Sequence, residues 1–205
     1  MSTLPPPLCI LVAGVPRSGS TWAFNAARLL LRDAGVTLHA AWVADRVADD
    51  PAPVHLVKAH QRDEVAFTPD IVLTTRRAPE ACLASLIRMG WLAPERAAIR
   101  RAWAHHRALH AHWSAQSTCE IGYDQIIGDP TPALARLARV LGARLDLAPD
   151  ATRPARVAKA LAEVQAPRPE AKGYDRETLL HPGHRRTGAP QPGPTPDQIR
   201  AIALG

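Results

Sequence analysis

Cysteine, aromatic side chains and long apolar runs are scarce in this 205-residue chain, and each scarcity argues against a class of protein. The three cysteines, Cys9, Cys82 and Cys119, are too few and too scattered for a disulfide framework or a zinc site. No apolar run reaches the roughly 18 residues that cross a bilayer, and the N-terminus has no basic signal-peptide region. We therefore expect a protein of a reducing compartment, cytoplasmic in a bacterium, with no transmembrane segment.

The remaining composition is typical of a single globular domain that covers residues 1–205. Apolar residues make up 46% of the chain and charged residues 21%, which is a globular balance. The densest proline clusters lie at residues 5–7 and between 182 and 196, where a Pro/Gly-rich loop is expected. The formal charge is +6, from 25 basic and 19 acidic side chains, and suits an anionic ligand such as a nucleotide.

Continuous apolar runs, typical of strands buried on both faces, alternate along the chain with segments of helical periodicity. The predicted strands cover residues 8–14, 36–42, 53–58, 71–75 and 119–122. The predicted helices cover about residues 22–35, 79–89, 94–113, 134–141 and 157–164. Thr195 is expected to cap a further helix near the end of the chain. This alternation predicts a three-layer α/β/α fold with a central parallel sheet. Ligands of such sheets bind beyond the carboxyl ends of the strands.

The turn after the first predicted strand has the skeleton of a phosphate loop. Gly14 and Gly19 are five residues apart, as in Gly-x-x-x-x-Gly-Lys-Ser/Thr, and a helix N-terminus follows them. The lysine position is occupied by Ser20, and Asp70 lies at the start of its strand, the wrong end for a magnesium site. An ATP or GTP hydrolase is therefore a poor fit. Arg17 lies inside the loop instead, where its guanidinium can bind two oxygens of an anion.

Residues 16–22 of this loop read Pro-Arg-Ser-Gly-Ser-Thr-Trp. They resemble the 5′-phosphosulfate loop of the sulfotransferases that use 3′-phosphoadenosine-5′-phosphosulfate (PAPS), which reads Pro-Lys/Arg-Ser-Gly-Ser/Thr-Thr-Trp. The resemblance, to a short bacterial-type member, implies a P-loop nucleoside triphosphate hydrolase-like fold. It also implies PAPS as donor, adenosine 3′,5′-bisphosphate (PAP) as product and no required metal. The loop residues that it assigns to the donor are Arg17, Ser18, Gly19, Ser20, Thr21 and Trp22.

Further segments resemble the same family, in the family's order. Arg77 and Ser85 have the spacing of its 3′-phosphate motif, an arginine at a strand end and a serine eight residues on. Lys58-Ala59-His60 matches a Lys-x-His that follows the third strand. The resemblance implies that His60 is the general base that deprotonates an acceptor hydroxyl or amine, while Lys58 and Arg17 stabilise the leaving bisphosphate.

Two weaker matches complete the resemblance. Residues 122–126 are similar to a Tyr-Glu-Asp-Leu segment of the family, which implies that Tyr123 lies near the donor. Residues 184–188 are a loose match to a C-terminal basic loop, which adds three donor contacts, Arg185, Arg186 and Gly188. The acceptor stays open among small molecules, glycans and lipids. Its expected contacts are aromatic or methionine side chains beyond the strand ends, namely Trp42, Phe67, Met89, Trp91 and Trp103.

Other interpretations remain open. One is a P-loop small-molecule kinase, which would bind Mg-ATP. Another is a sulfotransferase-like protein that binds a nucleotide without catalysing a reaction. His106 and His110 have the i, i+4 spacing of metal ligands, but no carboxylate or cysteine completes a site, so we expect a packed or solvated helix. Nucleic-acid binding is not expected, because the arginines are dispersed and no stacking aromatics interleave with them. The helix surface around Trp103 and Trp113 is a candidate homodimer contact.

Overall fold

Five parallel strands form the centre of the molecule. The computed structural model describes residues 6–168, 172–182 and 193–205. Within them the sheet has the order β2-β3-β1-β4-β5, and every strand pair is parallel. The strands are β1 (Leu8–Ala13), β2 (Leu38–Trp42), β3 (Val54–Ala59), β4 (Ile71–Arg76) and β5 (Cys119–Gly122). The predicted α/β fold with a parallel sheet is therefore confirmed.

Helices cover both faces of this sheet. The described helices are α1 (Ser20–Asp33), α2 (Pro79–Arg88), α3 (Arg96–Ser114), α4 (Tyr123–Ile127), α5 (Thr131–Leu145), α6 (Arg153–Glu163) and α7 (Pro196–Leu204), with a 3₁₀ turn at Val43–Asp45. Ile10 and Val12 of β1 pack under α1, α5 and α6, whereas Leu11 and Ala13 pack under α2, α3 and α7. This alternation explains why the central strand is apolar at every position.

The connections create a crevice at the carboxyl edge of the sheet. After β1 the chain runs to β2 on one side of the sheet, whereas after β4 it runs to β5 on the other side. The chain therefore leaves the neighbouring strands β1 and β4 in opposite directions at their carboxyl ends, and parallel α/β sheets bind ligands at such a point. The loop after β1 and the start of α2 after β4 both lie there.

Several local predictions can be compared with the structure. Thr195 caps α7 in a reciprocal pair: its hydroxyl accepts from the Gln198 N–H at 3.3 Å, and its own N–H donates to Gln198 Oε1 at 2.8 Å. The short helix α4 was not predicted, because five residues are too few to show a helical period. Asp70 accepts a hydrogen bond from the Cys9 N–H at 2.8 Å at the amino end of β4, so it does not reach the crevice.

The structure locates the α3 side chains that the sequence analysis singled out. The proposed dimer surface was wrong for Trp113, which is 3% exposed and packs in the core beneath α2, α3 and α7. His106 is also buried, and His110 lies 4.0 Å from Glu120. Within the described residues, no three or more His, Cys, Asp or Glu side chains are grouped so as to hold a metal. Over the same residues, no helix combines the length and the apolar character required to span a bilayer.

Candidate active site

A cavity of about 800 Å³ opens at the carboxyl edge of the sheet. Its walls come from the loop after β1, the first turns of α1, the ends of β2 and β3, α4, the end of α6 and residues 172–182, which we call the strap. A volume of this size suits a ligand of drug or nucleotide dimensions. The cavity therefore lies where the strand connections placed the crevice.

The N-terminus of α1 faces this cavity and is not neutralised by the chain. No side chain caps the helix, and its first turn contains no acidic residue. The positive end of the helix dipole and the adjacent N–H groups therefore favour an anion. Gly19, the N-cap residue, has φ +104°, and a Cβ there would lie 2.6 Å from Ile126 Cδ1 and 3.4 Å from Tyr123. The left-handed backbone favours glycine at this position, and any side chain there would also have to displace the end of the Ile126 side chain of α4.

Ser18 shapes the loop from beneath. Its buried hydroxyl donates to the Val15 carbonyl at 2.7 Å and lies 2.6 Å from Thr75 Oγ1. Gly14 is equally tight, since a Cβ there would lie 2.7 Å from the same Thr75 oxygen. The Ser18 hydroxyl therefore faces the sheet, whereas Ser20 and the two residues after it line the cavity.

Two guanidinium groups converge beside the loop. Arg17 adopts a left-handed φ of +70°, a strained conformation for a non-glycine residue, and its Nε donates to Ser85 Oγ at 2.9 Å. Arg77 Nη1 donates to the Arg17 carbonyl at 3.0 Å, and its guanidinium lies 3.9 Å from the centre of the Tyr123 ring. Burial, followed by the charge of Arg77, lowers the pKa of Arg17. Because both cations are held by the protein, positive charge is concentrated at this end of the cavity.

Lys58 brings a further cation to the cavity from the end of β3. The side chain is 4% exposed, and its Nζ lies 4.8 Å from the centre of the Trp42 ring and 3.4 Å from His60 Nε2. Burial lowers the pKa of Lys58 to about 7, the charge of Glu64 opposes this shift, and that of Arg17 adds to it. The charge of this lysine therefore responds to an anion placed beside it.

His60 is held in one orientation. Its Nδ1 lies 2.6 Å from the Gly14 carbonyl. Because a carbonyl oxygen can only accept, Nδ1 carries a hydrogen, and in the neutral imidazole Nε2 therefore carries the lone pair. The Trp42 ring packs edge-on at 5.3 Å, and the Trp113 indole N–H donates to the His60 carbonyl at 2.9 Å. The backbone N–H of His60 donates to Glu64 Oε2 at 3.1 Å, so the residue is fixed on both sides.

The strap is attached to α1 by polar contacts. Asn25 Nδ2 donates to the Thr178 carbonyl at 2.7 Å. The Glu177 carboxylate is 2.5 Å from the guanidinium groups of both Arg28 and Arg32, and Arg28 is only 3% exposed. Tyr174 donates from its hydroxyl to Asp45. These contacts bring the strap over the cavity to form a wall of it.

The structure brings together most of the residues assigned by resemblance. The cavity is lined by Arg17, Gly19, Ser20, Thr21, Trp22, Lys58, His60, Arg77 and Tyr123. Ser18 and Ser85 lie behind this lining, Ser85 as the acceptor for Arg17. Three assigned residues lie outside the described part of the chain, namely Arg185, Arg186 and Gly188.

The expected acceptor contacts divide by their position relative to the cavity. Trp42 and Trp91 line it, whereas the other three do not. Phe67 and Trp103 pack against the core beneath α2, α3 and α7, and Met89 follows the last turn of α2. Cavity residues that the sequence analysis missed include Asn25, Ile127, Leu161, Tyr174, Leu180 and His181. No local pattern marks them, because tertiary packing alone brings their segments together.

Fold and cavity together define an α/β protein with an all-parallel sheet and a basic cleft at the carboxyl edge of that sheet. Among solved structures, retinol dehydratase in complex with retinol and PAP is similar to this chain, with a TM-score of 0.51 and 15% identity. The match covers 77% of this chain and 65% of the retinol dehydratase chain, so this protein spans somewhat less than two thirds of that neighbour. No protein-family model and no curated protein matches the sequence. At this identity the similarity establishes the fold.

Proposed function

We propose that the protein is a sulfotransferase that moves a sulfuryl group from PAPS to a hydroxyl or amine of an acceptor. The observation that carries the proposal is the convergence of Arg17, Lys58, His60, Arg77 and the uncapped N-terminus of α1 on one cavity. The retinol dehydratase neighbour, which holds PAP, supports a nucleotide bisphosphate in a cleft of this fold.

The donor fits the residues that line this end of the cavity. Arg17, Ser20, Thr21 and the first N–H groups of α1 would hold the 5′-phosphosulfate, because a helix N-terminus and a guanidinium both favour an anion. Arg77 would hold the 3′-phosphate. Arg185, Arg186 and Gly188 complete the proposed contacts by resemblance. When bound, the donor supplies a transferable sulfuryl group with a bisphosphate as leaving group.

The remaining chemistry belongs to side chains of this chain. His60 Nε2 takes the proton of the acceptor hydroxyl or amine, and the Gly14 carbonyl at Nδ1 stabilises the imidazolium that forms. Before the donor binds, Lys58 faces the same Nε2 at 3.4 Å. An anion beside Lys58 raises the pKa of this lysine and attracts its ammonium toward the donor. Lys58 and Arg17 then offset the charge on the leaving phosphate.

Calorimetric titration tests the donor site. We expect PAP without metal to bind at micromolar concentration and Mg-ATP to bind weakly. Arg77→Ala should weaken PAP binding by roughly 10-fold or more, because a charge-assisted contact is lost. Arg76→Ala is the matched control, since Arg76 is largely exposed and pairs with Glu120 at 3.3 Å. A preference for Mg-ATP would replace the proposal with a P-loop kinase.

Turnover of PAPS tests the catalytic assignment separately. His60→Ala should lower the rate by roughly 10² to 10⁴, the usual contribution of a general base, with PAP affinity retained. Normal turnover in this variant would remove His60 from the mechanism. Wild-type protein that binds PAP but transfers no sulfuryl group to any acceptor tested would favour a non-catalytic nucleotide-binding protein.

A further inference from the structure

Seven aromatic or histidine rings among the described residues line the cavity, and four of them are assigned neither to the donor nor to catalysis. Trp42 packs edge-on against His60, and His181 packs edge-on between Tyr174 at 5.5 Å and Trp91 at 5.6 Å. We call Trp42, Tyr174, His181 and Trp91 the aromatic arc. Burial lowers the pKa of His181, and the charges of Lys58 and Arg17 add to this shift. The arc is therefore uncharged at neutral pH and faces the two cations assigned to the leaving phosphate.

Aliphatic side chains continue this apolar wall to the rim of the cavity. They are Leu86, Ile127, Leu161, Val164, Leu179 and Leu180. Ile127 is 66% exposed and Trp91 is 50% exposed, and both line the cavity. Large apolar side chains left open at a cavity mouth indicate a ligand that covers them. A hydrocarbon part of the acceptor would gain about 25 cal/mol for each Å² that it removes from water there.

A cationic acceptor finds no partner in the described part of the cavity. The described lining residues include no aspartate or glutamate. Three ring faces that could hold a ligand cation already meet a cation of the protein itself. Lys58 faces Trp42 at 4.8 Å, Arg17 faces Trp91 at 5.9 Å, and Arg77 faces Tyr123 at 3.9 Å. An ammonium group placed there loses its hydration without compensation.

The same lining offers few hydrogen-bond partners to a sugar acceptor. Its hydroxyls need many hydrogen-bond partners once they leave water. Asn25 already donates to the Thr21 and Thr178 carbonyls, and the Tyr174 hydroxyl donates to Asp45. Ser20 and Thr21 lie in the loop assigned to the donor. These polar groups of the lining therefore already have protein partners or are assigned to the donor.

From these contacts we infer that the acceptor is an uncharged, largely apolar hydroxyl compound, such as an alkyl-substituted phenol, that packs against the aromatic arc. The inference rests on the proposed function, because it names the acceptor class of the same cavity. It places the acceptor hydroxyl toward His60 and the hydrocarbon part toward Trp91 and Ile127.

Three probes of similar size test this inference on PAP-saturated protein. 4-Ethylphenol and tyramine share one ring and differ by an ammonium group, and glucose presents hydroxyls without a hydrocarbon part. Titration calorimetry should show 4-ethylphenol binding more than about 10-fold tighter than tyramine, because the ammonium must give up part of its hydration at the apolar rim without an acidic partner. Glucose should show no binding at millimolar concentration.

A carboxylate introduced at the rim provides the matched test. Ile127→Glu should improve tyramine binding relative to 4-ethylphenol by about 5-fold, the upper range for an exposed ion pair. Val47→Glu is the control, because Val47 is another exposed apolar residue, 48% exposed against 66% for Ile127, that does not line the cavity. It should leave the preference unchanged.

The outcomes separate this inference from the function on which it rests. If PAP itself does not bind, the proposed function fails. If PAP binds while tyramine or glucose binds as tightly as 4-ethylphenol, or while 4-ethylphenol does not bind at all, the acceptor inference alone is overturned. An equal effect of the Ile127 and Val47 variants would also overturn it, since the preference would then not arise in the cavity.

Discussion

Lys58 should couple nucleotide binding to proton uptake. The side chain is 4% exposed, and burial lowers its pKa to about 7, well below the ordinary lysine value near 10.4. A bound bisphosphate favours the charged form and so raises this pKa. Above pH 7 the free protein must therefore gain a proton as PAP binds, and PAP affinity must fall as the pH rises.

The size of this effect follows from the two pKa values. Between pH 7.5 and 9.5 the phosphates are essentially fully ionised. If binding restores an ordinary lysine pKa, PAP affinity falls by up to about 70-fold over this interval. At pH 8, titrations in HEPES and in Tris should differ by the heat of about 0.9 proton taken up from the buffer.

Two variants decide whether Lys58 is responsible. Lys58→Met should abolish both the pH dependence and the proton uptake. Lys159→Met removes an exposed lysine from α6 and should retain both. Wild-type affinity that is constant from pH 7.5 to 9.5 would refute the reasoning, because Lys58 would then carry the same charge with and without the anion. A slope that persists in Lys58→Met would assign it to another group.

Three further predictions concern the loop, the core and the strap. Gly19→Ala should lower PAP affinity more than about 10-fold and reduce the melting temperature. An alanine at position 19 would hold a left-handed backbone at a cost of about 1–2 kcal/mol, and its methyl group would meet α4. Gly35→Ala is the control: Gly35 also has a left-handed φ, +77°, but open space around it, so this variant should lose stability and retain PAP affinity. Burial lowers the pKa of His106 to about 4, so the unfolded chain binds a proton at this residue before the folded protein does as the pH falls. Urea denaturation should therefore show that the wild type loses about 2 kcal/mol of unfolding free energy between pH 7.5 and 5, and that His106→Leu does not show this loss. Glu177→Gln removes the carboxylate paired with buried Arg28, so hydrogen exchange should accelerate in the strap and stay unchanged in the sheet.

Local features of the sequence determined the parallel sheet and one end of the cavity. The apolar run before Gly14 identified the central strand because both of its faces are covered by helices. The spacing from Gly14 to Gly19 predicted the turn that leads into α1 because such turns depend on a few adjacent residues. Lys58 and His60 were expected at the cavity because the carboxyl ends of parallel strands meet at one edge. Each of these predictions rests on residues close together in the chain.

Tertiary structure alone decided the other side of the cavity. The strap meets α1 through pairs such as Glu177 with Arg28, which lie 149 residues apart in the chain. His60 owes its backbone position partly to Trp113, 53 residues away, which local patterning had placed on a surface. Ser18 turned toward the sheet because Thr75 of β4 lies beneath it. Periodicity and motif spacing describe neighbours along the chain, whereas these contacts depend on which distant segments pack together and in which register.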